Sequence, residues 1–227
     1  VPVAASLALL AREAPAILTG EKSGVSWPWL PGLGLNLSFR LDGLGLLFAL
    51  LILGIGLLVI LYARYYLAPE DRIGRLYALL MLFMTAMLGL VLSENVLLLV
   101  MFWELTSLGS FPLLAFSTHR PLARQGARMA FAVTSAGGLA LLAGVLLIGN
   151  IAGSFELTIW FAAREAIRSH PYFNVALVLI LLGAFTKSAQ YPFHSWLPGA
   201  MVAPTPISAY LHSAAMVKAG VYLVARL

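Results

Sequence analysis

GAFTKSAQYPFHSWLP, residues 183–198, follows the unbroken apolar run Val175–Leu182, yet it carries a lysine, two prolines and a histidine. A lysine at the centre of a bilayer costs about 3 kcal/mol or more of insertion free energy, and a proline opposes the helix that would otherwise hide it. Whether this stretch lies in a membrane decides the fold, and what the lysine is for decides the function.

The composition answers the first question. Hydrophobic residues fill 61% of the 227 positions and charged residues only 10%, with a mean hydropathy of +0.95. Those values belong to a polytopic membrane protein, not to a soluble domain. The net charge of +5 is spread in small Lys/Arg groups between apolar runs, a pattern that fixes membrane orientation and gives no footprint for nucleic acid. The absence of cysteine excludes thiolate-ligated iron–sulfur clusters, disulfides and thiol catalysis. The chain starts at Val1 and stops just after an apolar run, so it reads as a piece of a longer polypeptide with no native terminus or signal peptide to interpret.

Spanning a hydrocarbon core of roughly 30 Å takes about 20 apolar residues. Val3–Leu10 is too short, and with Ala14–Leu18 it reads as the end of an earlier helix. Residues 19–40 form a Gly-, Pro- and Trp-rich loop whose WPWLPGLGLNLSFRLDGLG segment predicts a short hairpin at the extracytoplasmic surface. Residues 1–40 are thus set apart from a transmembrane unit, 41–227. Its predicted spans are Leu41–Tyr62, Leu76–Leu92, Val96–Phe116, Met129–Ile148, Asn174–Gln190 and Pro206–Val224, the last two irregular. The expected fold is an all-α bundle with a broken helix near 190–206.

Loops 63–75 and 117–128 carry six arginines, Arg64, Arg72, Arg75, Arg120, Arg124 and Arg128. Two spans joined by the tight Ser93–Asn95 turn separate these loops, so they share one face. In the opposite loops Arg164 and Arg168 are offset by Glu156 and Glu165. The positive-inside rule makes the arginine loops cytoplasmic.

Glu104 lies eight residues into its span, about 12 Å at 1.5 Å per residue. A carboxylate there must be paired, hydrated or protonated, and its short side chain cannot snorkel to the headgroups as Glu94 can. Lys187 precedes Pro192 by five residues. On position alone it reads equally as a snorkelling lysine, but Pro192 and the following Pro198, Pro204 and Pro206 release backbone carbonyls that are tolerable only inside protein or beside water. Broken helices of this kind mark ion sites. His212 and Lys218 fall in the last span, six residues apart and on different faces, and His194 sits in the PFHSW kink. An imidazole titrating near neutrality can pass a proton between such neighbours. His119 and His170 lie in loops. Gly137, Gly138, Ala140 and Gly144 read as close helix packing, and Trp27, Trp29 and Trp160 as interface anchors. Two other classes fit less well. A haem protein needs facing histidines, and one candidate here sits in a kink. A passive anchor needs no buried charge.

ENVLLLVMFWELTSLGSF (94–111) and TKSAQYPFHSWLPGAMVAPTPISAYLHSAAMVKAGVYLVAR (186–226) resemble the antiporter-like membrane subunits shared by Mrp-type Na+/H+ antiporters and respiratory complex I. FWELTSLGS, SAGGLALLAG followed by GSFEL, and HSAAMVKAG look most like the A-subunit branch of the Mrp antiporters. The resemblance implies that Glu104 pairs with Lys187, that movement of the pair modulates the lysine's proton affinity, and that His194, His212 and Lys218 continue a hydrophilic axis. It implies the first of two inverted repeats, in a proton-translocating module of a cell (inner) membrane antiporter moving H+ and Na+ with other membrane subunits and no cofactor. The alternative is a proton-pumping subunit of complex I, an NADH:quinone oxidoreductase, or of a related membrane-bound hydrogenase.

Overall fold

A computed structural model describes residues 2–20, 23–67, 73–116 and 120–227; Arg72 and His119 lie outside the described residues. The chain opens with one helix, α1 (Pro2–Leu18), which joins the two apolar runs and continues through Pro15. A two-stranded antiparallel hairpin follows, β1 (Ser23–Leu30) and β2 (Leu35–Leu41), in the register Ser26↔Ser38 and Trp27↔Leu37. A turn over Pro31–Leu33 closes it, ending on Gly34 at φ 66°, a left-handed conformation that glycine adopts without a Cβ clash. The predicted hairpin is therefore present. Trp27 and Trp29 stand exposed on it, whereas Trp160 is buried and donates to the Ser154 carbonyl at 2.7 Å, so it is a packing residue and not an interface anchor.

The bundle comprises α2 (Gly43–Tyr66), α3 (Ile73–Leu92), α4 (Val96–Leu114), α5 (Pro121–Ala152), the short α6 (Leu157–Ala162) and α7 (Arg164–Ser169), and α8 (Phe173–Lys187). Two five-residue helices, α9 (Trp196–Ala200) and α10 (Thr205–Ala209), lead through a π-turn at Tyr210–Ala214 to α11 (Met216–Arg226). Local chemistry sets the starts. Asp42 caps α2 by accepting from the Gly45 amide at 2.9 Å, and Asn95 caps α4 by accepting from Leu97 and Leu98. Pro121 opens α5, its fixed φ suiting the first helical turn. That places Arg124 and Arg128 inside α5 where the sequence reading put them in a loop.

Among the described residues, five stretches are long and apolar enough to cross a membrane: α2, α3, α4, α5 and the composite 205–226. The fifth expected span, α8, has 15 residues, or about 22 Å against a core of roughly 30 Å. Its length alone does not cross such a core, and Lys187 is its last residue.

The hairpin, the Ser93–Asn95 turn and the 153–157 segment meet at one end of the bundle, through the bridges Phe39↔Ser93 and Asn95↔Glu156 and the Glu94 amide donating to the Ser38 carbonyl. The Glu156 Oε1 atom accepts there from Asn36, Ser38 and Asn95. Arg40 bonds to Glu94 at 2.8 Å, and the buried Arg226 of α11 reaches back to Asp42 at 2.5 Å. Burial pushes the Asp42 carboxyl up, but the hydrogen bonds from Arg226 and the Gly45 amide and the nearby charges of Arg226 and Arg40 outweigh it, so Asp42 titrates below the usual carboxylate range. The helix break lies at the other, arginine-bearing end: Tyr66 at the foot of α2 hydrogen-bonds Thr205 of α10, and Gly126 near the start of α5 is in van der Waals contact with Gly199.

Candidate functional site

α8 stops before its prolines. Ser188 closes the last turn onto the Ala184 carbonyl, and Ala189 takes the left-handed conformation at φ 50°, which costs a non-glycine residue about 1–2 kcal/mol. The Thr186 carbonyl there accepts from the Ala189 amide at 3.4 Å and from the indole Nε1 of the fully buried Trp196 at 2.9 Å. Phe193 turns back onto the Gln190 carbonyl, and the Ser188 hydroxyl donates to the Val217 carbonyl of α11. The break is thus satisfied by the protein itself, as irregular backbone at membrane depth must be. Pro192 stands at its centre, Pro204 caps α10, and Pro198 and Pro206 fall inside α9 and α10.

At the end of α8, Lys187 has no solvent exposure. Its Nζ donates to the Trp103 carbonyl at 3.2 Å and the Ser107 hydroxyl at 2.6 Å, and lies 5.3 Å from the centre of the Trp103 ring. All three partners belong to α4, the helix of Glu104. No carboxylate oxygen of Glu104 comes within 4.0 Å of the ammonium, since the ion pairs among the described residues are Arg40–Asp42, Arg40–Glu94 and Arg226–Asp42. The Glu104 Oε1 atom and the Ser135 hydroxyl of α5 are both buried, and neither meets normal hydrogen-bond geometry with any partner.

Two adjacent glycines on α5 make this arrangement possible. A Cβ added at Gly138 would overlap the Glu104 carboxylate, and one at Gly137 would overlap Thr186, the residue before Lys187. Gly144 continues the seam, an added Cβ meeting Ile180 at 2.8 Å and the Ala176 carbonyl at 2.9 Å. The sequence pattern identified these glycines as packing residues; the structure adds that the packing they permit is at the two charged side chains. Ser107, the Trp103 carbonyl and Trp196 were missed. Ser107 is one turn beyond Glu104 on α4, a relation visible in the sequence once Glu104 is singled out, whereas nothing in the sequence pairs Trp196 with a carbonyl ten residues away.

The other predicted residues are not gathered around Lys187. His212 lies in the π-turn, its ring centre 6.2 Å from that of Trp196 and both ring nitrogens buried without partners. It lines an open pocket of about 480 Å³ with Met201, Thr205, Ser208 and Ser213. His194 is exposed and stacks on Tyr191 at 5.7 Å, and Lys218 is exposed on α11.

The family model described as NADH:quinone oxidoreductase/Mrp antiporter, transmembrane, matches residues 93–227, and that of the complex I chain 5 N-terminus matches residues 27–77. The A/B subunit of a probable K+/H+ antiporter of Rhizobium meliloti is 58% identical over 93% of this chain and 21% of its own length. The A1 subunit of a Na+/H+ antiporter of Staphylococcus aureus is 52% identical over 88% of this chain and 25% of its own. Among solved structures, the Mrp complex from Dietzia sp. DQ12-45-1b is 43% identical with a TM-score of 0.88, over 98% of this chain and 24% of that one. An archaeal membrane-bound sulfane sulfur reductase shares the fold at a TM-score of 0.79 and 22% identity, over 99% of this chain and 35% of that one. The chain therefore spans about a quarter or less of the length of the antiporter relatives it matches. It is a multi-pass membrane protein, and it belongs to the NADH:quinone oxidoreductase/Mrp antiporter transmembrane family.

Proposed function

We propose that this chain is a proton-translocating module of a multisubunit monovalent cation/proton antiporter in the cell membrane, with Lys187 as the group that takes up and releases the proton. One observation carries the reading: an ammonium with no solvent exposure, at the end of a broken helix, held against the helix that bears the half-buried Glu104. A fold that needed only stability would not keep such a pair, since apolar residues of similar volume are as good or better.

In this mechanism the proton is held while Lys187 lies near the Glu104 carboxylate, where opposite charge favours the ammonium. It is released when the side chain is drawn away into apolar surroundings. His212, which lines a pocket at the arginine-bearing end and whose ring nitrogens have no hydrogen-bond partner, serves as the relay next to the break. His194 and Lys218, exposed here, act in the same path where the rest of the polypeptide or a neighbouring membrane protein of the complex covers them. The arginine-bearing end is cytoplasmic. Support for antiport over quinone-linked pumping comes from the relatives at 52–58% identity, which are antiporter subunits by name. Their names include both Na+ and K+, so the transported cation is tested with each.

The test is ΔpH dissipation by NaCl or KCl in vesicles containing the whole assembled complex. Lys187→Ala abolishes cation-driven dissipation by either salt at unchanged complex content. Wild-type rates in Lys187→Ala would end the proposal.

A further inference from the structure

Lys187 is docked on α4 without touching Glu104. Its two hydrogen bonds go to uncharged oxygens, the Trp103 carbonyl and the Ser107 hydroxyl, while the Glu104 Oε1 atom is buried with no hydrogen-bond partner. Glu104 and Ser107 are three residues apart on one helix, so their side chains are neighbours on one face with Cβ atoms about 5–6 Å apart. A lysine has a flexible four-carbon stem and three ammonium donors, so side-chain rotation alone can turn it between neighbouring acceptors.

We infer that Ser107 is a positioning residue: with the Trp103 carbonyl it forms a second, neutral seat for the Lys187 ammonium, beside the charged seat at Glu104. The inference rests on the proton-carrier reading of Lys187 and adds the acceptor that competes with Glu104. The seat is built for that purpose. Ser107 is buried, the Trp103 ring lies against the ammonium, and Gly137 lets Thr186, and with it the end of α8, approach α5 closely. At the neutral seat the ammonium has two dipolar acceptors and a ring face but no carboxylate in direct contact, so the proton is held less firmly than against the Glu104 carboxylate itself. Ser107 therefore sets the fraction of time the lysine spends in the state that lets the proton go.

The charged groups around Lys187 leave this exchange to α4. Glu104 is the titratable group of α4 on that face, and α5 contributes the Ser135 hydroxyl. On α11, Lys218 is exposed and Arg226 is engaged with Asp42 at the far end. His194 of the turn after α8 is exposed, His212 packs beside Trp196, and Arg164, Glu165 and Arg168 of α7 flank the opposite end of α8.

The experiment measures the pH profile of cation-driven ΔpH dissipation in vesicles of the whole complex, for wild type, Ser107→Ala, Ser107→Cys, Ser107→Thr and Lys187→Ala. Without the serine acceptor the ammonium stays at Glu104, so Ser107→Ala raises the pH of half-maximal transport by about one unit, the size of one hydrogen bond to a charged group. Ser107→Cys, with a weak acceptor of similar size, moves the profile in the same direction, and Ser107→Thr restores it. If Lys187→Ala is inactive while Ser107→Ala and Ser107→Cys keep the wild-type profile, or move it to lower pH, the second seat is wrong and the carrier role stands. Wild-type transport by Lys187→Ala would overturn both. Should Ser107→Ala fail to assemble, the cysteine and threonine variants decide by the same criterion.

Discussion

Gly138 of α5 and Glu104 of α4 occupy adjoining space so closely that a methyl group on the glycine would overlap the carboxylate. The glycine is thus a steric condition for where the charge sits. Gly138→Ala pushes the carboxylate out of its notch, and misplacement of a reacting group by 1 Å is enough for about 100-fold in rate. The expected outcome is cation/proton exchange at least about ten-fold slower, with complex still recovered from the membrane. Rates within two-fold of wild type would show that the position of the carboxylate does not matter.

Gly137→Ala addresses the other charge, because the added carbon collides with Thr186 and displaces the end of α8. Overpacking of this kind costs about 1–3 kcal/mol. Transport and thermal stability both fall in this variant, and Thr186→Ala, which removes both the hydroxyl that the added carbon overlaps and the methyl beside it, partly restores both in the double variant. A double variant no better than Gly137→Ala would place the clash elsewhere.

The Asp42–Arg226 pair ties the first span of the bundle to its last, 184 residues away. Asp42→Asn keeps the cap on α2 but leaves the buried guanidinium without its counter-charge. Asp42 titrates below the usual carboxylate range in the folded protein, so its contribution to stability is complete above the unfolded carboxylate pKa of about 3.9 and is lost as the pH falls through the lower, folded value. Melting of the detergent-solubilised complex shows Asp42→Asn below wild type at neutral pH, with the gap closing below about pH 4. A gap that widened in acid would contradict this sign.

Sidedness is open to direct labelling because the chain contributes no cysteine background. Leu33→Cys at the exposed hairpin tip reacts with an impermeant maleimide added to intact cells, and Leu122→Cys at the exposed start of α5 reacts only after permeabilisation. The reverse pattern would invert the assignment drawn from the arginines.

The two charges at the site were legible because the bilayer makes them expensive: Glu104 and Lys187 stand out in apolar runs whose other residues are interchangeable. The hairpin was legible from its Gly, Pro and aromatic residues. The close packing at Gly137 and Gly138 was visible as a pattern, but which side chains fill the space required the crossing of α4, α5 and α8. Arg226 read only as a chain end, since its partner is on a distant helix. The π-turn around His212 has no composition signature. It and the exposure of Lys218 depend on how α10 and α11 lie against α2 and α8, which no local pattern encodes.

The central claim is that the proton transported is carried by Lys187. The most direct measurement compares cation-driven ΔpH dissipation in vesicles holding equal amounts of assembled wild-type and Lys187→Arg complex. Guanidinium snorkels and accepts burial as well as ammonium does, but it stays protonated at every accessible pH. A lysine that carries the proton predicts that Lys187→Arg loses nearly all exchange; exchange at the wild-type rate would contradict it.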